Sequence, residues 1–321
     1  MMSNQDQMKS ICRHVFFLFC LFCLTWSATA LAGPLQYIGE RQTHTIREND
    51  VFIRIARENN LGFVELRSAN PDVDPWYPVP GTEIILPKRH LLPDAPRKGL
   101  VVNLAEMRLY VFDNSENPVA SYPLGIGREG LSTPVGSTKI VRKKEEPVWY
   151  PTERMRTEDP ALPKVVRSGP DNPLGTHALY LGWHQFLIHG TNEPWGIGRR
   201  VSSGCMRMYP EDIVELYNRT TVGTDVTVVD QPLKLAWIDN TLFLEAHPTQ
   251  QQALKIEEEG KKFVYDVPER FLKRLEKEFQ KKTQGTGGLY KPDWISIREA
   301  LIERSGVPVA ISLNTGNSEV H

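Results

Sequence analysis

Between residues 97 and 231 the apolar positions come in short runs separated by turn residues, a texture of strands rather than helices. Leu100–Asn103 and Arg108–Phe112 flank Ala105-Glu106 and predict a hairpin. Tyr122–Ile126, Ser137–Val141, Tyr180–Leu181, Phe186–Ile188 and Val226–Val229 predict further strands, and Glu211–Asn218 one short helix. Residues 142–172 break this texture, being rich in proline and charge with few periodic apolar positions. A long irregular segment inside a domain predicts a lid or substrate loop. Ahead of this region, Thr43–Ile46 and Glu83–Leu86 read as strands. Between them, Val51, Ile55 and Ala56 recur at helical spacing behind Asp50, a candidate cap, and Phe63, Leu66 and Arg67 start a second helix closed by Asn70-Pro71. Residues 89–98, with Pro93 and Pro96, read as a linker. After Pro232 the period changes again. Lys234–Ile238 and Thr241–Glu245 predict a hairpin over Asp239-Asn240, and Pro268–Lys282 an amphipathic helix with Phe271, Leu272, Leu275 and Phe279 on one face. Gly285–Gly288 interrupts the chain before a last helix at Trp294–Arg304.

Composition narrows the class. The 321 residues include 38 basic and 39 acidic side chains, and 40% hydrophobic against 24% charged residues. That balance excludes a collagenous, wholly disordered or polytopic membrane protein, and it lacks the basic excess of a nucleic-acid binder. Three of the four cysteines, Cys12, Cys20 and Cys23, fall in the first 32 residues. That stretch has a basic start at Lys9 and Arg13, an apolar run Val15–Trp26, and the small-x-small pattern Ala30-Leu31-Ala32. The run is short for the roughly 30 Å core of a bilayer, so residues 1–32 are expected to be a cleavable export signal. An uncleaved N-terminal anchor is the alternative. After cleavage Cys205 is the lone thiol, either an inert buried hydrophobe or a reactive group.

Its surroundings favour reactivity. Cys205 follows Ser202-Ser203-Gly204 and precedes Met206-Arg207, instead of lying in an apolar run. A thiol with a pKa of about 8.5 is almost wholly protonated at neutral pH, so a nucleophile needs help. Arg207 adds positive potential, and His189, at the end of an apolar strand, can take the proton. Gly204 would let backbone N–H groups reach a developing oxyanion. Each residue alone has a bland reading: a core thiol, a satisfied strand-end histidine, a structural ion pair. Together they point to a Cys-His nucleophile. A zinc site from His177, His184, His189 and Cys205 is the competing chemistry. Its intervals of seven, five and sixteen lack the tight pairs of structural zinc, and no metal is expected.

Two resemblances sharpen this. Residues 43–88 resemble a LysM domain, the peptidoglycan-binding module, through the opening strand, Ile55-Ala56, Leu66 to Asn70-Pro71 and the closing Gly81-Thr82-Glu83-Ile84-Ile85-Leu86-Pro87. Asn49-Asp50 stands where that family usually has Gly-Asp. Residues 97–231 resemble the catalytic domain of the L,D-transpeptidases, the YkuD-like family of exported cell-wall cysteine enzymes. The matching blocks are Val101–Tyr110, Gly125–Gly130 with Thr133-Pro134-Val135-Gly136, and Ile188-His189-Gly190-Thr191-Asn192 followed by Gly196-Ile197-Gly198 and Ser202-Ser203-Gly204-Cys205-Met206-Arg207-Met208.

The resemblance implies a mainly β catalytic domain, a YkuD-like β-sandwich, with a small α+β LysM-like domain before it and a C-terminal β/α extension, residues 232–321, of unassigned role. It implies Cys205 as nucleophile, His189 as general base and then acid, and the Gly204 backbone in an oxyanion hole. Ser203 replaces the histidine most members carry and is expected to support the loop. Arg207, Ser202 and Gly190 are expected at the substrate, with Arg207 meeting a carboxylate, and no cofactor is implied. The implied donor is a peptidoglycan tetrapeptide stem, attacked at the L-centre of meso-diaminopimelate with loss of D-alanine. The acceptor is another stem's amine, the lysine of an outer-membrane lipoprotein, or water, and carbapenems are implied covalent mimics. The layout is similar to periplasmic members that attach lipoprotein. A non-catalytic peptidoglycan-binding scaffold is the reading from a different class, and Ser203 is what gives it weight.

Overall fold

Residues 42–86 fold as the switch between strand and helix periods predicts. Strand β1 (Tyr37–Ile38) precedes β2 (Gln42–Thr45), α1 (Phe52–Glu58), α2 (Phe63–Ala69) and β3 (Glu83–Leu86), and β2 pairs antiparallel with β3. The computed structural model describes residues 34–259, 268–286 and 290–314. The expected export signal, with Cys12, Cys20 and Cys23, lies outside the described residues. Among these, no helix is long and apolar enough to cross a membrane. Asn49 sits at φ +65°, in the left-handed region that asparagine tolerates, where glycine is the usual residue. Asp50 does not cap α1. Its carboxylate instead takes His44 Nε2 at 2.8 Å and the Arg47 N–H at 2.9 Å, tying the turn before the helix. The segment read as a linker also differs, because β4 (His90–Leu91) lies in it and pairs with β1.

The catalytic region supplies β5 (Gly99–Asn103), β6 (Arg108–Phe112), β7 (Pro118–Pro123), β8 (Ile126–Gly127), β9 (Gly136–Glu145), α3 (Glu153–Glu158), β10 (His177–Leu181), β11 (Leu187–His189), β12 (Arg200–Ser202), β13 (Met206–Arg207), α4 (Pro210–Arg219) and β14 (Asp225–Val229). Eight strands make one mixed sheet in the order β13-β11-β10-β9-β14-β5-β6-β7. The expected sandwich is thus a single curled sheet, and β9 is the reason. Gly136–Lys139 pair with β14, while Ile140–Glu145 pair with β10, so one ten-residue strand joins the two halves. A single apolar cluster takes Leu100, Val102 and Leu109 from one half and Leu179, Ile188 and Met206 from the other, with Phe52, Phe63 and Leu66 of the N-terminal unit.

The C-terminal extension forms β15 (Leu233–Ile238), β16 (Thr241–Ala246), α5 (Gln250–Glu259), α6 (Glu269–Thr286), β17 (Tyr290–Pro292), α7 (Trp294–Glu303), β18 (Val309–Ala310) and β19 (Ser312–Asn314). Asp239 and Asn240 both have positive φ, 45° and 66°, as a two-residue hairpin turn requires. Phe271, Leu275 and Phe279 of α6 pack with Leu242 and Leu244 in a second apolar cluster. Leu272, expected on the same face, is 38% exposed and lies off it.

Candidate active site

Strands β11 and β13 run parallel, with Ile188 opposite Met206 and His189 opposite Arg207. Ile188 and Met206 are fully buried in the core. Because side chains alternate along strands, Leu187, His189, Cys205 and Arg207 project to the other face. Sequence positions sixteen residues apart thereby meet on one surface. The turn delivering Cys205 is held by its own polar groups. The Ser202 hydroxyl donates to the Cys205 carbonyl, the Gly204 N–H donates to Ser202 Oγ at 3.2 Å, and the Thr133 hydroxyl donates to the Gly204 carbonyl at 2.8 Å. Gly204 has φ +107°, and a Cβ there would lie 2.9 Å from Phe186 Cε1, so this position requires glycine.

Burial sets the ionisation. His189 Nδ1 lies 2.6 Å from the Gly190 carbonyl, which can only accept, so Nδ1 carries the proton and Nε2 keeps its lone pair. Burial, and then the positive charge of Arg207, pull the His189 pKa from 6.5 to about 4. Burial pushes the Cys205 thiol above its ordinary value, against the lowering effects of a hydrogen bond from the Leu187 backbone and of Arg207. The sequence pointed to Arg207 as the group that activates the thiol. Arg207 does act in that direction, but loss of solvent outweighs it. At neutral pH the resting groups are a thiol and, on the same sheet face, a neutral imidazole. The thiol's own hydrogen bond runs to the Gln185 carbonyl at 3.5 Å.

Cys205 opens on a cavity of about 840 Å³. Ser203, Phe186 and Leu187 line it with Cys205, and Val148, Trp149 and Tyr150 with the start of α3 complete the lining. The 142–172 stretch is less irregular than its composition suggests. Its first residues, through Glu145, continue β9, Thr152 caps α3 through its hydroxyl, and Trp149 bridges to Val166. The buried Asn172 amide donates to the Pro147 carbonyl at 2.7 Å and to that of Arg167 at 3.1 Å, fastening the base of this flap.

The residues singled out in the sequence divide into two groups. Cys205 and Ser203 line the cavity. The Ser203 hydroxyl has no hydrogen-bond partner among the described residues, and the loop support expected of it comes from Ser202 and Thr133. Ser202 and Gly190, expected at the substrate, are instead buried behind it. The Ser202 hydroxyl is committed to the turn, and Gly190 orients His189 through its carbonyl. The Gly204 N–H is likewise engaged, which leaves the Cys205 N–H as the donor without a partner among the described residues. Arg207, expected at a substrate carboxylate, does not line the cavity, and its Nη1 lies 3.7 Å from Glu193 Oε2. Thr133 belongs to the Thr133-Pro134-Val135-Gly136 motif, and nothing in the sequence marks its hydroxyl as a partner of the Gly204 carbonyl.

The one tight group of possible metal ligands among the described residues is elsewhere. His90, Glu106 and Glu245 bring ligand atoms within 4.8 Å of one another. Lys234 Nζ lies 2.7 Å from Glu106 Oε2 and 2.8 Å from Glu245 Oε1, so an ammonium already occupies the position a cation would take.

A thiol on an open cleft, a buried neutral imidazole on the same sheet face and a backbone N–H without a partner among the described residues define a cysteine enzyme of the acyl-transfer class. Residues 97–228 match the family described as the L,D-transpeptidase catalytic domain, YkuD. The chain is 37% identical over 302 residues to YbiS of Escherichia coli K12, covering 91% of this chain and 94% of that one. It is 42% identical over 222 residues to YcfS of the same organism, covering 66% and 68%, and 34% identical over 313 residues to ErfK/SrfK of Salmonella typhimurium, covering 92% and 96%. All three bear the name L,D-transpeptidase. The chain belongs to the L,D-transpeptidase family and is an enzyme.

Proposed function

We propose that this L,D-transpeptidase works in the periplasm on peptidoglycan tetrapeptide stems. Cys205 Sγ attacks the carbonyl at the L-centre of meso-diaminopimelate while His189 Nε2 takes the thiol proton. The Cys205 N–H meets the developing oxyanion. Collapse breaks the bond to D-alanine, whose nitrogen receives the proton back from His189, and a thioester remains. An acceptor amine then attacks the thioester, gives a proton to His189 and releases the sulfur. The acceptor favoured here is the lysine of an outer-membrane lipoprotein, ahead of another stem's amine. The observation that carries this reading is the placement of Cys205 on the wall of a cleft of about 840 Å³ with the lone pair of a neutral His189 on the same sheet face.

Residues 1–32 serve in this reading as the export signal. The strand–helix–helix–strand unit of residues 43–88 serves as a LysM-like module that keeps the enzyme on its polymer. Incubation with a disaccharide-tetrapeptide, followed by intact-mass spectrometry, tests the chemistry. A single adduct that lacks D-alanine and disappears in Cys205→Ala is expected. Adding a lipoprotein C-terminal peptide should release the adduct as a stem–lysine conjugate. Release only as the free tripeptide would make water the acceptor, and no adduct on folded protein would refute the acyl-enzyme.

A further inference from the structure

Two strands beyond β11, the sheet face that bears Leu187 and Cys205 carries a charge that the acyl-transfer chemistry does not use. β9 runs past the cavity with Arg142 and Lys144 lining it, two residues apart and therefore on one face. Lys143 between them points the other way, where its ammonium donates to the Tyr217 and Thr220 carbonyls at 2.6 Å each. Arg142 lies flat over Tyr180, its Cζ 3.6 Å from the ring centroid, and Tyr180 is its register partner on β10 and lines the same cavity. Stacking fixes the guanidinium plane and leaves its N–H edge free. Neither Arg142 nor Lys144 has an acidic partner among the described residues. The other charged residues of the lining are Glu153 and Arg154, one of each sign, so the cleft is net positive in a chain whose total charge is −1.

Two unpaired cations, one of them aimed by an aromatic ring, make a carboxylate subsite. We propose that Arg142 and Lys144 bind a carboxylate of the acyl-donor peptide and thereby select stems that carry it free rather than amidated. This rests on the stem reading above. Besides the terminal carboxylate of the departing D-alanine, a tetrapeptide stem carries two that stay on the acyl group, on γ-linked glutamate and on the side-chain centre of diaminopimelate, and the proposal concerns one of these two. Arg207 is not an equivalent candidate, since it sits off the cavity with Glu193 as a neighbour.

The test compares wild type with Arg142→Gln/Lys144→Gln, using three donors: the free tetrapeptide, its isoglutamine form, and its amidated-diaminopimelate form. Acylation of Cys205 is followed by intact mass. Donor binding is followed separately on Cys205→Ser, with and without the two charge changes, through Trp149 on the cavity wall. Matching circular dichroism spectra and urea midpoints certify that the variants are folded. The free donor should require about tenfold more concentration in the double variant, with the limiting acylation rate within about twofold. One of the two amidated donors should show the same loss in wild type and no further loss in the variant, which identifies the carboxylate. If wild type and variant treat all three donors alike while acylating, the subsite is wrong and the stem reading stands. Charge-dependent binding without any acylation would keep the subsite and sink the stem reading. No binding and no acylation would overturn both.

Discussion

His189 gives the sharpest test of the proposed resting state, because its neutrality should be visible in folding stability without any substrate. Its pKa falls from 6.5 to about 4 on folding, chiefly through burial. A depressed histidine binds fewer protons folded than unfolded between those values. The native state is therefore unpenalised above pH 6.5 and loses stability as pH falls toward 4. A tenfold change in acid constant corresponds to about 1.4 kcal/mol, so the complete loss is about 3 kcal/mol, and about 2 kcal/mol of it is reached at pH 5. Other groups titrate over this range too, but they cancel when wild type is compared with His189→Gln, which has no imidazole to protonate. Urea unfolding of both proteins at pH 7 and pH 5 measures the difference. Wild type should lose about 2 kcal/mol more than the variant between the two pH values. Equal losses would mean that His189 titrates normally when folded. The tautomer argument, and with it the neutral thiol–imidazole pair, would then be refuted.

The same ionisation state separates two reactions at Cys205: acylation by a stem donor, with His189 taking the proton, should vary little between pH 5 and 8. Iodoacetamide, which needs the thiolate, should react about tenfold faster per pH unit over the same range; parallel profiles would contradict acylation through a neutral thiol and imidazole. Asp212 is pushed up to about 7 by burial and by Glu211, and its Oδ2 has no hydrogen-bond partner. Because its folded pKa is raised, stability is lost as pH climbs from 3.8 to 7. Asp212→Asn should therefore stabilise the protein by on the order of 2 kcal/mol at pH 8 and hardly at all at pH 4, measured by urea midpoints. Removing the buried ammonium in Lys234→Ala leaves Glu106 and Glu245 facing each other, and should cost about 3–5 kcal/mol in thermal or urea unfolding. A loss under about 1 kcal/mol would class the pair with surface bridges.

What the sequence disclosed and what it hid follow from the same physics. The hairpin over Asp239-Asn240 was legible because both turn residues favour positive φ, and β3 because Ile84 and Leu86 alternate into the core. The strand β9 was truncated at Val141 because Arg142, Lys143, Lys144 and Glu145 show no alternation of polarity. One of its faces lines an open cleft and the other is bonded to carbonyls at the end of α4, so both read as solvent. The helix α5 was missed since, among its described side chains, only Ala253 and Ile256 are buried. At the site, Cys205, His189 and Gly204 were recognisable from residue type and order. Their partners were not, because hydrogen-bond commitment is a property of geometry. Ser202 and Ser203 are indistinguishable as letters, yet one is buried in the turn and the other faces the cavity. The thiol's pKa misled for a related reason: Arg207 is adjacent in sequence, whereas desolvation depends on everything packed around the site.

The segment leading into Cys205 is where the three parts of the chain converge. The N-terminal N–H groups of α2, on Phe63 and Val64, donate to the Ile197 and Gly198 carbonyls at 3.4 and 3.2 Å. That approach demands glycine on both sides, since a Cβ on Gly62 would lie 2.7 Å from Gly198 Cα. From the C-terminal extension, Glu257 pairs with Arg199, and the Gln250 carbonyl accepts from Arg200 at 3.1 Å. Deeper in, Glu65 of α2 meets the buried Arg108 of β6 at 2.8 Å, while Lys234 of β15 joins Glu106 to Glu245 of β16. Buried ions are poor sources of net stability, but they tolerate few arrangements, because any misdocking strands a charge. Residues 197–202 are thus fixed by both flanking parts as well as by the catalytic sheet. A nucleophile whose resting thiol is protonated needs His189 and the Cys205 N–H already in place when the donor arrives, and a loop clamped from two sides supplies that preorganisation. The N-terminal unit and the C-terminal extension therefore belong to the structural support of the active site, whatever else each of them binds.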